Sequence, residues 1–183
     1  EFFKKGYYVF DESHGNKAGV ISVWYRAFKV ISKDGGKTWK QTEINLPVVH
    51  GSITAYHMEA LTLDDGTFLK PVNGKIHQND ELSSSSVLRT TDNGETWNIH
   101  TIARGSPTYS GGGFSETGIT QAHNGDVVTV MRTSNQRELW TAISSDRGKT
   151  WCEPRDSGLR GSTPWLITLA DGRLLATFGR RSY

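Results

Sequence analysis

The sequence predicts an all-β chain made of repeated four-stranded antiparallel sheets, the blades of a β-propeller. Three observations predict this. An octet of pattern Ser/Thr-x-Asp-x-Gly-x-Thr-Trp occurs three times, beginning at Ser32, Thr90 and Ser144. After each octet comes a second turn, Asp or Asn followed by Gly, at Gly66, Gly125 and Gly172. No segment carries the 3.6-residue apolar period of a helix. Self-similarity at a period of roughly 50 residues marks one supersecondary unit stacked on copies of itself, and four-stranded sheets at that period are propeller blades.

Each octet position has a physical job. The Asp side chain accepts from backbone amides further along and ties the turn together. The Gly supplies a positive φ without steric cost. Thr and Trp then resume an extended strand, and Trp buries a large apolar surface. The octet is therefore a structural turn, and an Asp repeated in every unit is not a catalytic acid.

In chain order, residues 7–10, 18–26, 28–32 and 38–44 are rich in Val, Ile, Tyr and Trp and are predicted strands of the first unit. Pro47 and Gly51 punctuate the chain. The second unit has predicted strands at 55–63, 67–72, 85–90 and 96–102, with a polar loop from Gly74 to Ser84. The third has 115–122, 126–133, 138–144 and 150–154, with the strong Asn124-Gly125 hairpin signal. A fourth begins with 164–169 and 173–179. These units place blades at about 6–46, 50–104, 110–158 and, in part, 161–183 of one propeller domain. Three and a half blades leave two open edges, which invite aggregation. The chain is thus expected to be a fragment of a longer propeller, the rival fold being a complete small β-sandwich.

Composition sets further bounds. At 183 residues the chain can bury a sizeable core, and Gly at 20 residues with six Trp suits short strands and tight turns. Net charge is +2 with signs interspersed, so no basic stripe argues for nucleic acid. No apolar run approaches the ~20 residues that span a bilayer, and no signal peptide is visible. The single Cys152 excludes an internal disulfide and leaves the redox compartment open. Six His are scattered without ligand spacing, and neither a metal nor a cofactor is expected. The loop bearing His77, Asn79, Asp80 and Glu81 reads as solvated; the alternative is a pocket rim or cation site.

The three octets resemble the Asp box, or BNR repeat, of the sialidase (neuraminidase) superfamily. That resemblance implies a sialidase-like propeller, six-bladed when complete, and is silent on activity: similar boxes occur in sortilin-like receptors and photosystem assembly factors. A second likeness lies between octets two and three, where Glu116 and Arg132 stand sixteen residues apart across one hairpin. Sialidases carry a Glu on the first strand of a central blade and an Arg at the end of its second strand. The resemblance implies that Glu116 is the base that activates a Tyr nucleophile, and Arg132 one of three Arg that clamp the substrate carboxylate. A guanidinium binds a carboxylate bidentately and stays charged. A Tyr nucleophile is one of the exceptions among glycosidases.

Asn73 stands at Arg132's place in the second unit and Thr163 at Glu116's place in the fourth, so the pair occurs in one unit only. The plainer reading of the pair is an ordinary cross-strand ion pair. Arg180 is a weaker candidate for another Arg of the triad. The first blade of the family pattern, with its acid/base Asp, is expected upstream of Glu1, and the nucleophilic Tyr beyond Tyr183. The implied activity is exo-sialidase hydrolysis of a sialylated glycan or related acidic sugar, in an extracellular or periplasmic setting. The alternative is a non-catalytic Asp-box propeller that binds glycans or a protein.

Overall fold

The structure is a computed structural model and describes residues 7–11, 20–24, 27–47, 53–54, 58–77, 79–107, 112–134 and 138–179, with backbone alone for 7–11 and 20–24. Fifteen strands and no helix occur among the described residues, and every named pairing is antiparallel. The chain divides into two units, Glu1–Leu46 and Pro47–Tyr183.

The first unit holds two hairpins. β1 (Tyr7–Asp11) pairs with β2 (Val20–Trp24), and β3 (Ala27–Ile31) pairs with β4 (Lys40–Ile44). The sequence predicts one four-stranded sheet here; among the described residues the hairpins form two separate two-stranded sheets. The first octet joins β3 to β4, and its Trp39 is exposed.

The second unit carries the predicted sheets. One contains β5 (Ile53–Thr54), β6 (Leu61–Thr62), β7 (Phe68–Gly74), β8 (Ser84–Thr90) and β9 (Asn98–Ala103), with β5 and β6 both on β7. The next is a continuous four-stranded meander of β10 (Phe114–Gln121), β11 (Val127–Thr133), β12 (Glu138–Ser144) and β13 (Arg155–Arg160). The hairpin β14 (Ser162–Thr168) and β15 (Leu174–Gly179) follows. They are called here the second, third and fourth sheets.

Two elements depart from the sequence expectation. A single strand over 55–63 is replaced by β5 and β6. The Leu61↔Leu69 register, extended, would pair Asn73 with residue 57, yet the observed partner is Thr54. The intervening chain therefore carries an excess that repeat counting does not register. The outer strand of the third sheet begins at Arg155 rather than at Thr150. Pro154 cannot donate to a ladder, and Cys152 reaches Ile143 only through one backbone bond and its Sγ.

The octets form the turns the sequence predicts. In the second, Asp92 accepts from the Thr96 amide (2.9 Å) and hydroxyl (2.6 Å), and Thr90 Oγ1 accepts from the Gly94 amide (3.0 Å). In the third, Asp146 and Ser144 do the same for Thr150 and Gly148. The hydroxyl and amide of Thr38, then the Ser32 hydroxyl, hold Asp34 down to about 2. Burial pushes Asp146 up, but Thr150 and Ser144 outweigh it and leave it at about 2. The residue before the octet Gly is also left-handed, at Asn93 (φ 58°) and Arg147 (φ 62°).

The core lies between sheets. Leu69 and Val87 from the second sheet meet Phe114, Ile119, Val127, Met131 and Ala142 from the third. Phe114 is fully buried and packs edge-on to Trp140 at 6.4 Å. A second cluster joins Val130 and Leu139 to Leu166 of the fourth sheet. Side chains alternate along a strand, so β11 turns Val127 and Met131 toward the second sheet and Val130 toward the fourth. Arg132 shares the face of Val130. Gly118 permits the close approach of β10 and β14, because a Cβ there would stand 2.9 Å from the Pro164 carbonyl oxygen.

Candidate functional site

Glu116 lies near the start of β10 and Arg132 near the end of β11, at one end of the third sheet. The Asn124-Gly125 hairpin at the far end fixes their register, with Gln121 opposite Val127 and Thr117 opposite Met131. The ladder then slips. Phe114 pairs with Thr133, so Ser115 and Glu116 together oppose Arg132 alone. This is a β-bulge, which re-aims a side chain at the rim of a sheet. It turns Glu116 onto the Arg132 face.

The two side chains meet. Arg132 Nη1 donates to both Glu116 oxygens at 2.8 Å, and Ser115 Oγ donates to Oε2 at 2.9 Å. The Glu116 side chain is 15% exposed and that of Arg132 22%, so the pair is partly desolvated yet open at one side. Desolvation raises the Glu116 pKa; the hydrogen bonds from Arg132, its own amide and Ser115 outweigh this and bring it below the ordinary carboxylate range. Glu116 is therefore ionised at neutral pH. A guanidinium has five N–H donors, and a single nitrogen serves Glu116. The arrangement can hold a second carboxylate on the same Arg while presenting a charged oxygen to a nearby proton.

The neighbouring sheets show what stands at these register places elsewhere. Asn73 takes the Arg132 place in β7, and Thr54 Oγ1 donates to its Oδ1 at 2.9 Å. The fourth sheet repeats a bulge, between Ser162↔Gly179 and Trp165↔Thr177, and Thr163 within it has φ 51°. Position 163 therefore holds strained backbone where the third sheet holds Glu116.

Arg180 lies outside the described residues, as do Arg26, His50, His57 and Tyr183. The polar loop is not solvated at its centre. Asp80 is 2% exposed at the side chain and accepts from the amides of Ile76 (3.0 Å) and His77 (2.8 Å) and from Arg104 Nε (2.9 Å). His77 Nε2 meets Thr101 Oγ1 at 2.7 Å. The loop is thus tied into its own sheet, and Asp80 is its anchor. No group of three or more His, Cys, Asp or Glu stands together in metal-binding fashion among the described residues. No helix there is long and apolar enough to cross a membrane.

Sequence reasoning missed Ser115 and the Thr54–Asn73 contact. Ser115 adjoins Glu116, but only the bulge brings its hydroxyl onto the carboxylate, and a bulge has no pattern signal here. The Thr54 contact was hidden by the excess chain between β5 and β6.

The chain is similar to known proteins in sequence and in fold. A family model described as a BNR repeat-like domain matches residues 7–182. The chain is 26% identical over 144 residues to a curated sialidase of Bacteroides fragilis, a match covering 76% of this chain and 24% of that protein. A solved protein of unknown function from Dyadobacter fermentans superposes with a TM-score of 0.71 at 23% identity, over 85% of this chain and 44% of that one. A Hadza microbial sialidase gives 0.65 at 21%, over 85% and 32%. The NanB sialidase of Streptococcus pneumoniae gives 0.61 at 17%, over 92% and 28%. Likeness at these identities shows the fold, a sialidase-like β-propeller. The chain spans 24% of the curated relative and under half of each of these solved chains.

Proposed function

The chain belongs to the BNR repeat-like domain family, and from that premise we propose that the whole protein is an exo-sialidase-type glycoside hydrolase. It removes terminal sialic acid from glycoconjugates with retention, and this chain supplies part of the site. The observation that carries the reading is the Glu116–Arg132 pair, set on a bulge at one end of a single sheet.

The chemistry follows from the two groups. Arg132 binds the substrate carboxylate by charge-assisted hydrogen bonds. Glu116, ionised, accepts the phenolic proton of a Tyr outside this chain as that oxygen attacks the anomeric carbon; the glycosidic bond breaks, and the departing aglycone oxygen takes a proton from an acid/base Asp that also lies outside this chain. A neutral phenol approaches a carbon beside a carboxylate with less repulsion than a second carboxylate would. Water then attacks the anomeric carbon of the glycosyl–Tyr intermediate and gives a proton to the Asp; the bond to the Tyr oxygen breaks, and the phenolate recovers its proton from Glu116.

The same pair favours a second reading. Glu116 is held below the ordinary carboxylate range by the Arg it faces, which suits a stable ion pair better than a strong base. A non-catalytic module that binds acidic glycans would need only Arg132. Turnover separates the two readings. In the full-length protein, Arg132→Lys lowers kcat/KM on a fluorogenic sialoside by about ten- to a hundredfold, the ~1.5–3 kcal/mol of a hydrogen bond to a charged group. Unchanged turnover sinks the assignment. Binding of sialoside without turnover by the unmodified protein selects the second reading.

A further inference from the structure

Ser115 and Glu116 are chain neighbours, yet their side chains meet. In a regular strand, successive side chains point to opposite faces. The bulge sets Ser115 and Glu116 together against Arg132, which lets a hydroxyl reach the carboxylate of the next residue. Ser115 is half-buried, and its Oγ donates to Glu116 Oε2 at 2.9 Å.

The Arg132 contact alone does not orient that carboxylate. Nη1 lies 2.8 Å from both oxygens, on the bisector of the group. A donor placed there keeps both distances while the carboxylate plane turns about the line that joins them. A second donor on one oxygen stops the turn. Ser115 is that donor, and its single proton goes to Oε2.

The bulge is held from the second sheet on both sides of the pair. Before it, Ser83 forms a bridge with Gly113, and its carbonyl accepts the Phe114 amide at 2.7 Å. After it, Thr117 Oγ1 donates to the Ser115 carbonyl at 3.3 Å and meets Ser85 Oγ at 2.7 Å. A hydroxyl has one proton. With that of Thr117 on Ser115, Ser85 is the donor of the shorter bond. Ser85 and Thr117 are both buried, so bulk water does not compete for their hydroxyls. The backbone that carries Ser115 is thereby fixed by buried bonds across the seam.

We infer that Ser115 is a positioning residue, which fixes the plane of the Glu116 carboxylate in the orientation that receives the phenolic proton. The inference rests on the hydrolase reading above and deepens it: the residue before the base acts only through the base.

A double-mutant cycle in the full-length protein tests it on a fluorogenic sialoside. Ser115→Ala lowers kcat about tenfold, the effect of one hydrogen bond to a charged group. KM changes little, because Arg132 still meets the substrate carboxylate. Ser115→Thr keeps the donor and returns most of kcat. In the Glu116→Gln background, Ser115→Ala costs nothing further, because no base is left to orient. Ser115→Cys, similar in shape and a weak donor, carries the same cycle if Ser115→Ala does not fold. Full kcat in Ser115→Ala overturns the inference alone. So does a loss of equal size in both backgrounds, the signature of a fold defect or of a direct substrate contact. Unchanged turnover of Glu116→Gln itself overturns the inference and the reading beneath it together.

Discussion

The second and third sheets hold the same register place with opposite chemistry. In β11 it is Arg132, bonded to a carboxylate at 2.8 Å; in β7 it is Asn73, bonded to a hydroxyl at 2.9 Å. Both sheets carry an Asp octet between their last two strands, and both turn one face into a shared core. The scaffold therefore does not decide where charge goes. The difference comes from two local events: the bulge that swings Glu116 onto Arg132, and the excess chain that gives Asn73 the partner Thr54. Function in a repeat fold is written in departures from the repeat.

The sharpest way to break the comparison is to make the third sheet as neutral as the second. Glu116→Gln keeps the shape and removes the proton acceptor. If Glu116 is the base, kcat of the full-length protein on a sialoside falls by roughly 10²–10⁴, the range for general-base loss, while KM moves little. A KM effect without a kcat effect assigns Glu116 to holding Arg132 in place. An unaltered enzyme returns the pair to an ordinary cross-strand contact.

The next largest effect is at the seam between the sheets. Gly113 has φ +91°, and a Cβ there would stand 2.4 Å from the Ser83 carbonyl oxygen. Gly113→Ala adds left-handed strain to a clash with backbone that cannot step aside. It is expected to destabilise by on the order of 2–4 kcal/mol. Gly125→Ala is the control. Its φ is +89° but nothing lies within 4 Å of the added carbon, so only the strain of about 1–2 kcal/mol remains. Equal losses in denaturant unfolding would show that the Ser83–Gly113 bridge does not hold the seam.

What was legible in the sequence follows from what is local. The Asp octets could be read because Asp92, Thr96 and their amides lie within five residues of one another and the turn chemistry is complete in itself. The Asn124-Gly125 hairpin fixed the register from Gln121↔Val127 outward, which is why Glu116 and Arg132 could be expected at one end of a sheet before any coordinates. The Ser115 contact was not legible, because a bulge depends on how the strand meets its neighbours. Nor was the buried anchor at Asp80: its partner Arg104 is 24 residues away in sequence, and a polar loop reads as solvated when the residue that satisfies its carboxylate is out of sight. The split of 55–63 into β5 and β6 failed for a third reason, since counting back from Gly66 assumes the constant spacing that the excess chain removes.

The smallest effect tests how the octets themselves differ. The residue ahead of the octet Gly is Gly35 in the first, Asn93 in the second and Arg147 in the third, and all three have positive φ. Gly and Asn accept that backbone readily; Arg does not. Arg147 is held there from both ends. Its carbonyl accepts from Arg89 Nε at 3.0 Å, and its guanidinium donates to Asp64 at 2.6 Å and lies 2.9 Å from Asp65, in the turn of the second sheet. Gln121 also engages Asp64, through its side-chain oxygen and nitrogen. The third octet is thus a turn and a clasp at once. Arg147→Asn restores the side chain of the second octet, relieves the backbone and removes the ion pairs. Because the pairs are exposed, their contribution is small and screened by salt. Melting of Arg147→Asn should fall slightly below that of the unmodified protein at low ionic strength, and the gap should close or reverse at high salt, where only the backbone gain remains. A gap that stays constant with salt would mean that the clasp holds through the Arg89–carbonyl bond and packing, not through charge.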